Sequence, residues 1–385
     1  MKKLFSVLAV AVSVIALLGC FNITTVSADE SLNASAKSAY LMDYDSKTVI
    51  YSKNETDKLP IASMTKLMLL NLCFEKLDAG EYTLSDKITV SETASGMGGS
   101  QVFLEANKQY QASELIKSII VASANDASVA MAERLFGSEQ ECVKVMNEKC
   151  FDWKLENTLF SNCTGLTKPT QYSCAKDVAV MLEKLISHKE YFDFSGIWMD
   201  EINHGDRKTE IANTNKLIRF YEGCDGGKTG FTSESGFCLA ATAKRGGMRL
   251  ISVVINAESS KSRFADVSSM FNYGFANYTS KAVVDSSKPL NISVEVKRGE
   301  QSTIQIRAEK DARIFSKKGN KENIIVDFSP ISEIKAPLNK GDKIGELIVY
   351  RDNVEVVRVN AVADEDVNRK TYFGYIKDVA RGWCL

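Results

Sequence analysis

The chain has 385 residues, of which 44% are hydrophobic and 25% are charged, so it is long enough for two domains with hydrophobic cores. Its 48 basic residues balance 49 acidic ones, and this balance gives no reason to expect a nucleic-acid partner. The two histidines, His188 and His204, lie in no ligand or triad motif, which argues against zinc hydrolases and Ser-His-Asp hydrolases. We predict no metal and no cofactor.

The N-terminal segment is typical of a secretory signal peptide. Two lysines precede an apolar run at 4–18, and small residues follow. Two processing sites remain open, because cleavage after Ala28 would release a soluble protein, whereas the Leu-Leu-Gly-Cys sequence at 17–20 resembles a lipoprotein box that would leave Cys20 lipidated. An uncleaved anchor is disfavoured, since the run is shorter than the roughly 20 residues that span a membrane. We predict a signal peptide at 1–28 and an exported mature protein.

The next segment predicts a β-hairpin followed by a buried helix. Two β-rich runs, at 39–42 and 48–51, flank a turn-rich sequence. The helix, predicted over Met64–Leu77, is apolar nearly all round, so we expect it to lie inside the domain. Asp78-Ala79-Gly80 ends it.

Further helices and a second hairpin follow. Helical spacing at 115–120 breaks around 123–125 and resumes from Asp126 through Leu135, which places Ser123 on a connection between two helices. Strand-like runs at 237–242 and 250–255 predict the hairpin, and a helix over 264–278 follows it. We therefore predict an α+β domain at 29–283, in which N- and C-terminal strands meet in one sheet covered by helices.

The C-terminal part predicts a small β domain and a tail. Short alternating runs, such as Ile292–Val296 and Ile344–Tyr350, are separated by glycine and proline, so we assign 284–366 to an all-β domain. The tail at 367–385 has apolar residues on one helical face and basic residues elsewhere. It either associates with a membrane surface or packs on its own domain.

Nine cysteines are present, and an exported chain can oxidise them, but the sequence does not determine their pairing. Cys142 and Cys150 are expected on one helix, about 12 Å apart along its axis, which is too far for a mutual disulfide. Cys73 lies in the most apolar helix, and its simplest interpretation is a free thiol with a structural role.

Three Ser-x-x-Lys sequences begin at Ser63, Ser173 and Ser332, and such a match alone is weak. Ser63 alone is followed by both a Ser-x-Asn sequence, at 123–125, and a Lys-Thr-Gly sequence, at 228–230. The order of the three motifs therefore selects Ser63.

The chemistry explains why these residue types belong together. A serine hydroxyl needs a base, and without a suitable histidine Lys66, three residues after Ser63 on the same helical face, is the predicted base. Its usual pKa of about 10.4 must then be lowered by burial and by a second cation, for which Lys228 is the candidate. Ser63 also lies near a helix N-terminus, whose free N–H groups favour an oxyanion.

The two downstream motifs predict substrate contacts. Ser123 can relay a proton between Lys66 and a leaving amine, and the Asn125 amide can hold a substrate amide. Lys228 and Thr229, on an edge strand before the last hairpin, can attract a substrate carboxylate, while Gly230 permits close approach. Taken singly, each motif has an ordinary structural explanation as a helix cap or a strand start.

With these motifs the sequence resembles the penicillin-binding D-alanyl-D-alanine carboxypeptidases, which trim peptidoglycan stem peptides. The resemblance covers roughly 38–278, and it is looser over the β domain and tail. It implies a serine β-lactamase/DD-peptidase-like catalytic domain outside the cytoplasmic membrane of a bacterium. The segments that carry it, some of which include the three motifs, are 60–70, 97–100, 121–127, 157–166, 213–217 and 225–230.

Carried onto this chain, the resemblance implies Ser63 as acyl-ester nucleophile, Lys66 as proton acceptor, Ser123 as third catalytic group and Lys228 as substrate binder. The implied reaction removes the terminal D-alanine of a stem pentapeptide through an acyl-enzyme, and β-lactams would acylate the same serine. Phe231 stands where the family often has histidine or tyrosine, and its backbone N–H is a candidate oxyanion donor. Gln171 stands where the family often has histidine before Tyr172-Ser173.

Two other classes of protein compete with this interpretation. A serine β-lactamase also needs a glutamate that activates the deacylating water, and no Glu-x-x-Leu-Asn type segment lies between Asn125 and Lys228. A non-catalytic cell-wall-binding protein would keep the fold without ever deprotonating Lys66, and the intact catalytic set argues against it.

Overall fold

The computed structural model describes residues 32–331 and 333–376. The signal-peptide prediction, Cys20 and the last nine residues of the predicted tail lie outside them. Ser332, one of the three motif serines, does so too.

The first part of the chain is built on a five-stranded antiparallel sheet in the order β2-β1-β9-β8-β7. β1 is an interior strand, and all of its residues are buried. It pairs with β2 on one side and with β9 on the other, which confirms the first hairpin and the meeting of N- and C-terminal strands in one sheet. The strands in chain order are β1 (Ser38–Asp43), β2 (Val49–Lys53), β3 (Lys87–Thr89), β4 (Gln109–Gln111), β5 (Met199–Asn203), β6 (Lys208–Ala212), β7 (Cys224–Thr232), β8 (Gly236–Arg245) and β9 (Met248–Ala257).

Helices surround this sheet and carry much of the core. They are α1 (Lys66–Asp78), α2 (Glu92–Ser95), α3 (Ala112–Lys117), α4 (Asn125–Phe136), α5 (Glu139–Asp152), α6 (Ala175–Leu185), α7 (Phe192–Ser195), α8 (Leu217–Phe220) and α9 (Ser260–Asn277). Every residue of α1 from Lys66 to Phe74 is buried, so the predicted burial of this helix is confirmed. A π-helical turn at Ser118–Ala122 follows α3, and Ser123 lies between it and α4, as predicted.

The start of the first helix differs from the prediction. The α-helix begins at Lys66, and a 3-10 turn over Ala62–Thr65 precedes it. Ala62 has a φ of 46°, a left-handed conformation that a regular helix does not allow. Ser63 therefore lies in the tight turn that leads into α1, where side chains three residues apart lie almost in line.

The second part of the chain is an all-β structure with its own core. A five-stranded sheet has the order β11-β12-β16-β15-β14, and β10 pairs with β13 in a separate two-stranded sheet. β10 follows α9 directly, and the ring of Tyr278 stacks on Phe315 with centroids 5.1 Å apart. The strands are β10 (Tyr278–Val284), β11 (Ser293–Glu295), β12 (Thr303–Ala308), β13 (Ala312–Lys317), β14 (Ile324–Pro330), β15 (Lys343–Arg351) and β16 (Val354–Ala363).

All seven cysteines in the described ranges are buried free thiols. Both histidines hydrogen-bond other residues: His188 contacts Asp78, and His204 contacts Tyr110 and Thr209. Within 32–331 and 333–376, no helix has the length and hydropathy needed to cross a membrane.

Candidate active site

Ser63 lies in a turn that two glycines permit. An added Cβ at Gly165, whose φ is +85°, would overlap the carbonyl group of Ala62, and one at Gly230 would lie 2.5 Å from the carbonyl oxygen of Ile61. The loop that contains Gly165 and the edge strand β7 therefore pack directly on the backbone beside Ser63. The serine itself is only partly buried, so its hydroxyl lies where a substrate can approach.

Lys66, next to Ser63 in the site, is fully buried. Its ammonium nitrogen donates to Ser63 Oγ at 3.1 Å, to Asn125 Oδ1 at 2.7 Å and to the carbonyl oxygen of Thr164 at 2.5 Å. These three acceptors come from three separate parts of the chain. They fix the nitrogen next to the serine hydroxyl and satisfy its hydrogen-bonding capacity.

Burial lowers the pKa of Lys66 to about 7, and the nearby Cys163 and Asp126 offset part of this shift by favouring the charged form. The sequence predicts a lowered pKa of Lys66 from burial and from the charge of Lys228. Burial is the dominant cause. At neutral pH a substantial fraction of Lys66 is therefore the free amine, which can accept a proton.

Ser123 and Lys228 form a second serine-lysine pair on the opposite side of the site. Lys228 Nζ donates to Ser123 Oγ at 2.7 Å and to the carbonyl oxygen of Thr229 at 3.1 Å. Both side chains are nearly inaccessible, and Ser123 adopts a left-handed φ of 63° that turns the chain between the π-helical turn and α4. The structure thus joins Ser123 to Lys228, whereas Lys66 is hydrogen-bonded to Ser63.

Three buried basic side chains, Lys66, Lys228 and Arg263, lie at the Lys-Thr-Gly strand. The pKa of Lys228 is lowered well below its usual value by burial first and then by the positive charges of Lys66 and Arg263. Arg263, on α9, donates to the carbonyl oxygens of Gly230 and Cys238. An anionic group arriving here would stabilise the charged form of Lys228, so the strand is suited to a carboxylate.

The strand β7 is an edge strand, as predicted, and carries Lys228, Thr229 and Gly230 toward Ser63. Thr229 is buried, but the next side chain, Phe231, is 55% exposed and stacks on Phe237 with ring centroids 4.3 Å apart. The backbone of this strand can therefore add to an extended peptide while an exposed aromatic ring lines its end.

Asn125 has a different set of contacts from the one expected. Besides accepting from Lys66, its amide nitrogen donates to the carbonyl oxygen of Gly98 at 2.7 Å. It thus connects Lys66 to the 97–100 segment. Contact with a substrate amide stays a prediction.

Sequence reasoning missed the contribution of a loop at 161–166. The loop accepts a hydrogen bond from Lys66 through the backbone carbonyl of Thr164, and a backbone contact of this kind cannot be predicted from residue types. In the sequence, Gly165 is only one residue of a segment that carries the family resemblance. Its positive φ and its close approach to Ala62, which only glycine permits, are visible in the structure alone. Arg263 gave no signal because it lies in an ordinary amphipathic helix.

Comparison with known proteins identifies the family. A family described as D-alanyl-D-alanine carboxypeptidase matches residues 23–259, and the C-terminal domain of penicillin-binding protein 5 matches 278–369. The chain belongs to the D-alanyl-D-alanine carboxypeptidase family. This finding confirms the resemblance and the predicted fold class.

Relatives of this carboxypeptidase family match most or all of the chain. D-alanyl-D-alanine carboxypeptidase DacF of Bacillus subtilis is 38% identical and covers 100% of this chain and 99% of its own. The crystal structure of penicillin-binding protein 5 from Haemophilus influenzae is 29% identical, with a TM-score of 0.67, over 88% of this chain and 98% of that one. Penicillin-binding protein D2 of Listeria monocytogenes, solved with ampicillin bound, is 30% identical, with a TM-score of 0.58, over 64% of this chain and 99% of its own.

Proposed function

We propose that this chain is an exported serine-type carboxypeptidase that removes the terminal D-alanine from peptidoglycan stem pentapeptides through an acyl-enzyme on Ser63. The observation that carries the proposal is the buried Lys66 amine 3.1 Å from the serine hydroxyl, with a pKa of about 7. The substrate follows from the family and from the cationic edge strand.

Acylation uses Lys66 as base. The neutral amine of Lys66 takes the hydroxyl proton of Ser63 while Ser63 Oγ bonds to the carbonyl carbon of the penultimate D-alanine. The backbone N–H groups of Ser63 and Phe231 stabilise the oxyanion. The carbon–nitrogen bond then breaks, and Lys66 gives up the proton that it took from Ser63, which reaches the departing amine of the terminal D-alanine by way of Ser123. Lys66 is then neutral again.

Hydrolysis completes the cycle. Lys66 takes a proton from water as the water oxygen adds to the acyl ester. Lys66 then gives this proton to Ser63 Oγ as the ester bond breaks, which restores the serine hydroxyl and the neutral amine and releases the shortened peptide. The carboxylate of the terminal D-alanine lies near Lys228 and Thr229 in this scheme, with the charge of Arg263 behind the strand. β-Lactams would acylate the same oxygen and be released slowly.

The test is release of free D-alanine from a pentapeptide that ends in D-Ala-D-Ala. The purified protein should release one equivalent per peptide, and a penicillin should add its mass to the tryptic fragment that contains Ser63. No D-alanine release, or an adduct on another residue, would contradict the proposal. Rapid turnover of the penicillin would instead favour a β-lactamase.

The pH dependence of acylation should follow Lys66. Because the amine must be neutral to accept a proton, we expect the second-order acylation rate constant to rise with pH and to level off above a midpoint near 7. Stopped-flow acylation by a fluorescent penicillin between pH 5 and 9 measures this profile. A rate that stays constant across that range would mean that Lys66 is not the base.

Gly165→Ala should slow acylation because the added methyl group overlaps the backbone beside Ser63 and displaces it. Gly137→Ala is the matched control, since Gly137 has nearly the same φ, +86° against +85°, with nothing within 4 Å of its added Cβ. Both variants should lose about 1–2 kcal/mol of stability from the left-handed conformation. We expect at least tenfold slower acylation in Gly165→Ala alone, and equal rates in the two variants would contradict this.

A further inference from the structure

We propose that Gln171 is a positioning residue for Lys66, because its carboxamide fixes the loop whose Thr164 carbonyl accepts a hydrogen bond from the lysine. This inference rests on the proposed function. It assigns a task to a residue that touches neither the nucleophile nor the base.

Gln171 is a buried side chain, 7% exposed, that binds the loop through both ends of its carboxamide. Its oxygen accepts from the backbone N–H groups of Ser161, at 2.8 Å, and Asn162, at 3.0 Å. Its nitrogen donates to Asn162 Oδ1 at 3.2 Å and to Thr65 Oγ1 at 3.4 Å. One side chain therefore connects the loop to the residue directly before Lys66.

Asn162 extends the hydrogen-bond network of Gln171 along the loop. Its Oδ1 accepts from the backbone N–H groups of Thr164, at 3.2 Å, and Gly165, at 2.7 Å, and its Nδ2 donates to the carbonyl oxygen of Leu166 at 2.7 Å. These bonds close a tight Asx-type turn. The turn leaves the carbonyl oxygen of Thr164 free to accept from Lys66 at 2.5 Å.

The carboxamide suits this position because of its hydrogen-bonding pattern. One oxygen accepts two peptide N–H groups while the nitrogen still donates. A neutral imidazole, which the family resemblance often places here, has a single acceptor nitrogen. Gln171 also adds no charge to a site that already contains the ionisable side chains of Lys66, Lys228 and Asp126, so its effect is geometric.

The test compares three variants of the full chain by acylation with a fluorescent penicillin and by thermal unfolding. Gln171→Met keeps the length of the side chain and removes all four hydrogen bonds. Gln171→His keeps one acceptor nitrogen and one donor nitrogen and, at pH 8, adds no charge. Asn71→Leu is the control for a purely structural loss, since Asn71 is a buried amide that donates to carbonyl oxygens of Leu67 and Met181, away from the loop.

At pH 8 we expect Gln171→Met to acylate at least tenfold more slowly than the wild type, and Gln171→His to acylate at least threefold faster than Gln171→Met. Asn71→Leu should show a comparable drop in melting temperature with an unchanged rate. The inference is overturned if Gln171→Met acylates at the wild-type rate or if Gln171→His is as slow as Gln171→Met. If the wild-type protein released no D-alanine, the proposed function would be wrong. Failure of the proposed function is therefore distinguishable from failure of the inference about Gln171.

Discussion

Ser63→Ala is expected to abolish release of D-alanine, with a fall in kcat/KM of about 10⁴-fold or more, because no other group can form the acyl ester. Loss of one hydroxyl from a partly exposed turn removes a hydrogen bond donated by Lys66 and leaves the packing of Ala62 and Thr65 intact. The melting temperature should therefore change little. Release of D-alanine and penicillin labelling, measured together, check this result.

Ser173→Ala is the matched control for that experiment. Ser173 begins another Ser-x-x-Lys sequence, but it is buried, and its hydroxyl hydrogen-bonds Thr158 at 2.8 Å. Removing it should cost about 1 kcal/mol of stability while activity stays near that of the wild type. If Ser173→Ala were inactive and Ser63→Ala active, the choice of nucleophile would be wrong.

Lys66→Met should lower the rate of acylation by about 10²- to 10⁴-fold, the range that general-base catalysis supplies. Methionine has a similar length and can occupy the fully buried position without a charge. It leaves Asn125 Oδ1 and the Thr164 carbonyl without their donor, which should destabilise the fold by about 1–3 kcal/mol for each unsatisfied group. Single-turnover acylation at pH 8 separates the chemical loss from the loss of stability.

Lys66→Arg distinguishes a base from a structural cation. Arginine keeps a positive charge and hydrogen-bond donors, but it does not deprotonate in proteins. We expect it to be as inactive as methionine at every pH between 6 and 9. Activity within tenfold of the wild type in either variant would show that Ser63 is activated by another group.

The order and spacing of the motifs were sufficient to select residues whose side chains the structure brings into hydrogen-bonding contact, Ser63 with Lys66 and Ser123 with Lys228. Ser63 and Lys66 lie one turn apart, so local geometry alone brings them together. Ser123 and Lys228 are 105 residues apart, and only the antiparallel sheet brings the edge strand to the connection before α4. Their mutual hydrogen bond, in place of one from Ser123 to Lys66, could not be read from the motif.

The remaining differences come from backbone conformation and from distant contacts. The helix was predicted from Met64 because the apolar pattern continues through the 3-10 turn, and no pattern encodes the positive φ of Ala62. Likewise, the sequence indicates only that Gln171 stands where the family often has histidine. Its hydrogen bonds depend on a loop folded against α1, which sequence periodicity does not describe.

The pairing of β10 with β13 determines where this protein can be divided. A fragment that stops at the predicted boundary, residue 283, would carry nearly all of β10 without its partner strand and would uncover the ring of Tyr278. Unpaired strands of this kind promote aggregation. A recombinant catalytic fragment is better ended at Asn277, and an isolated second domain is better begun at Tyr278.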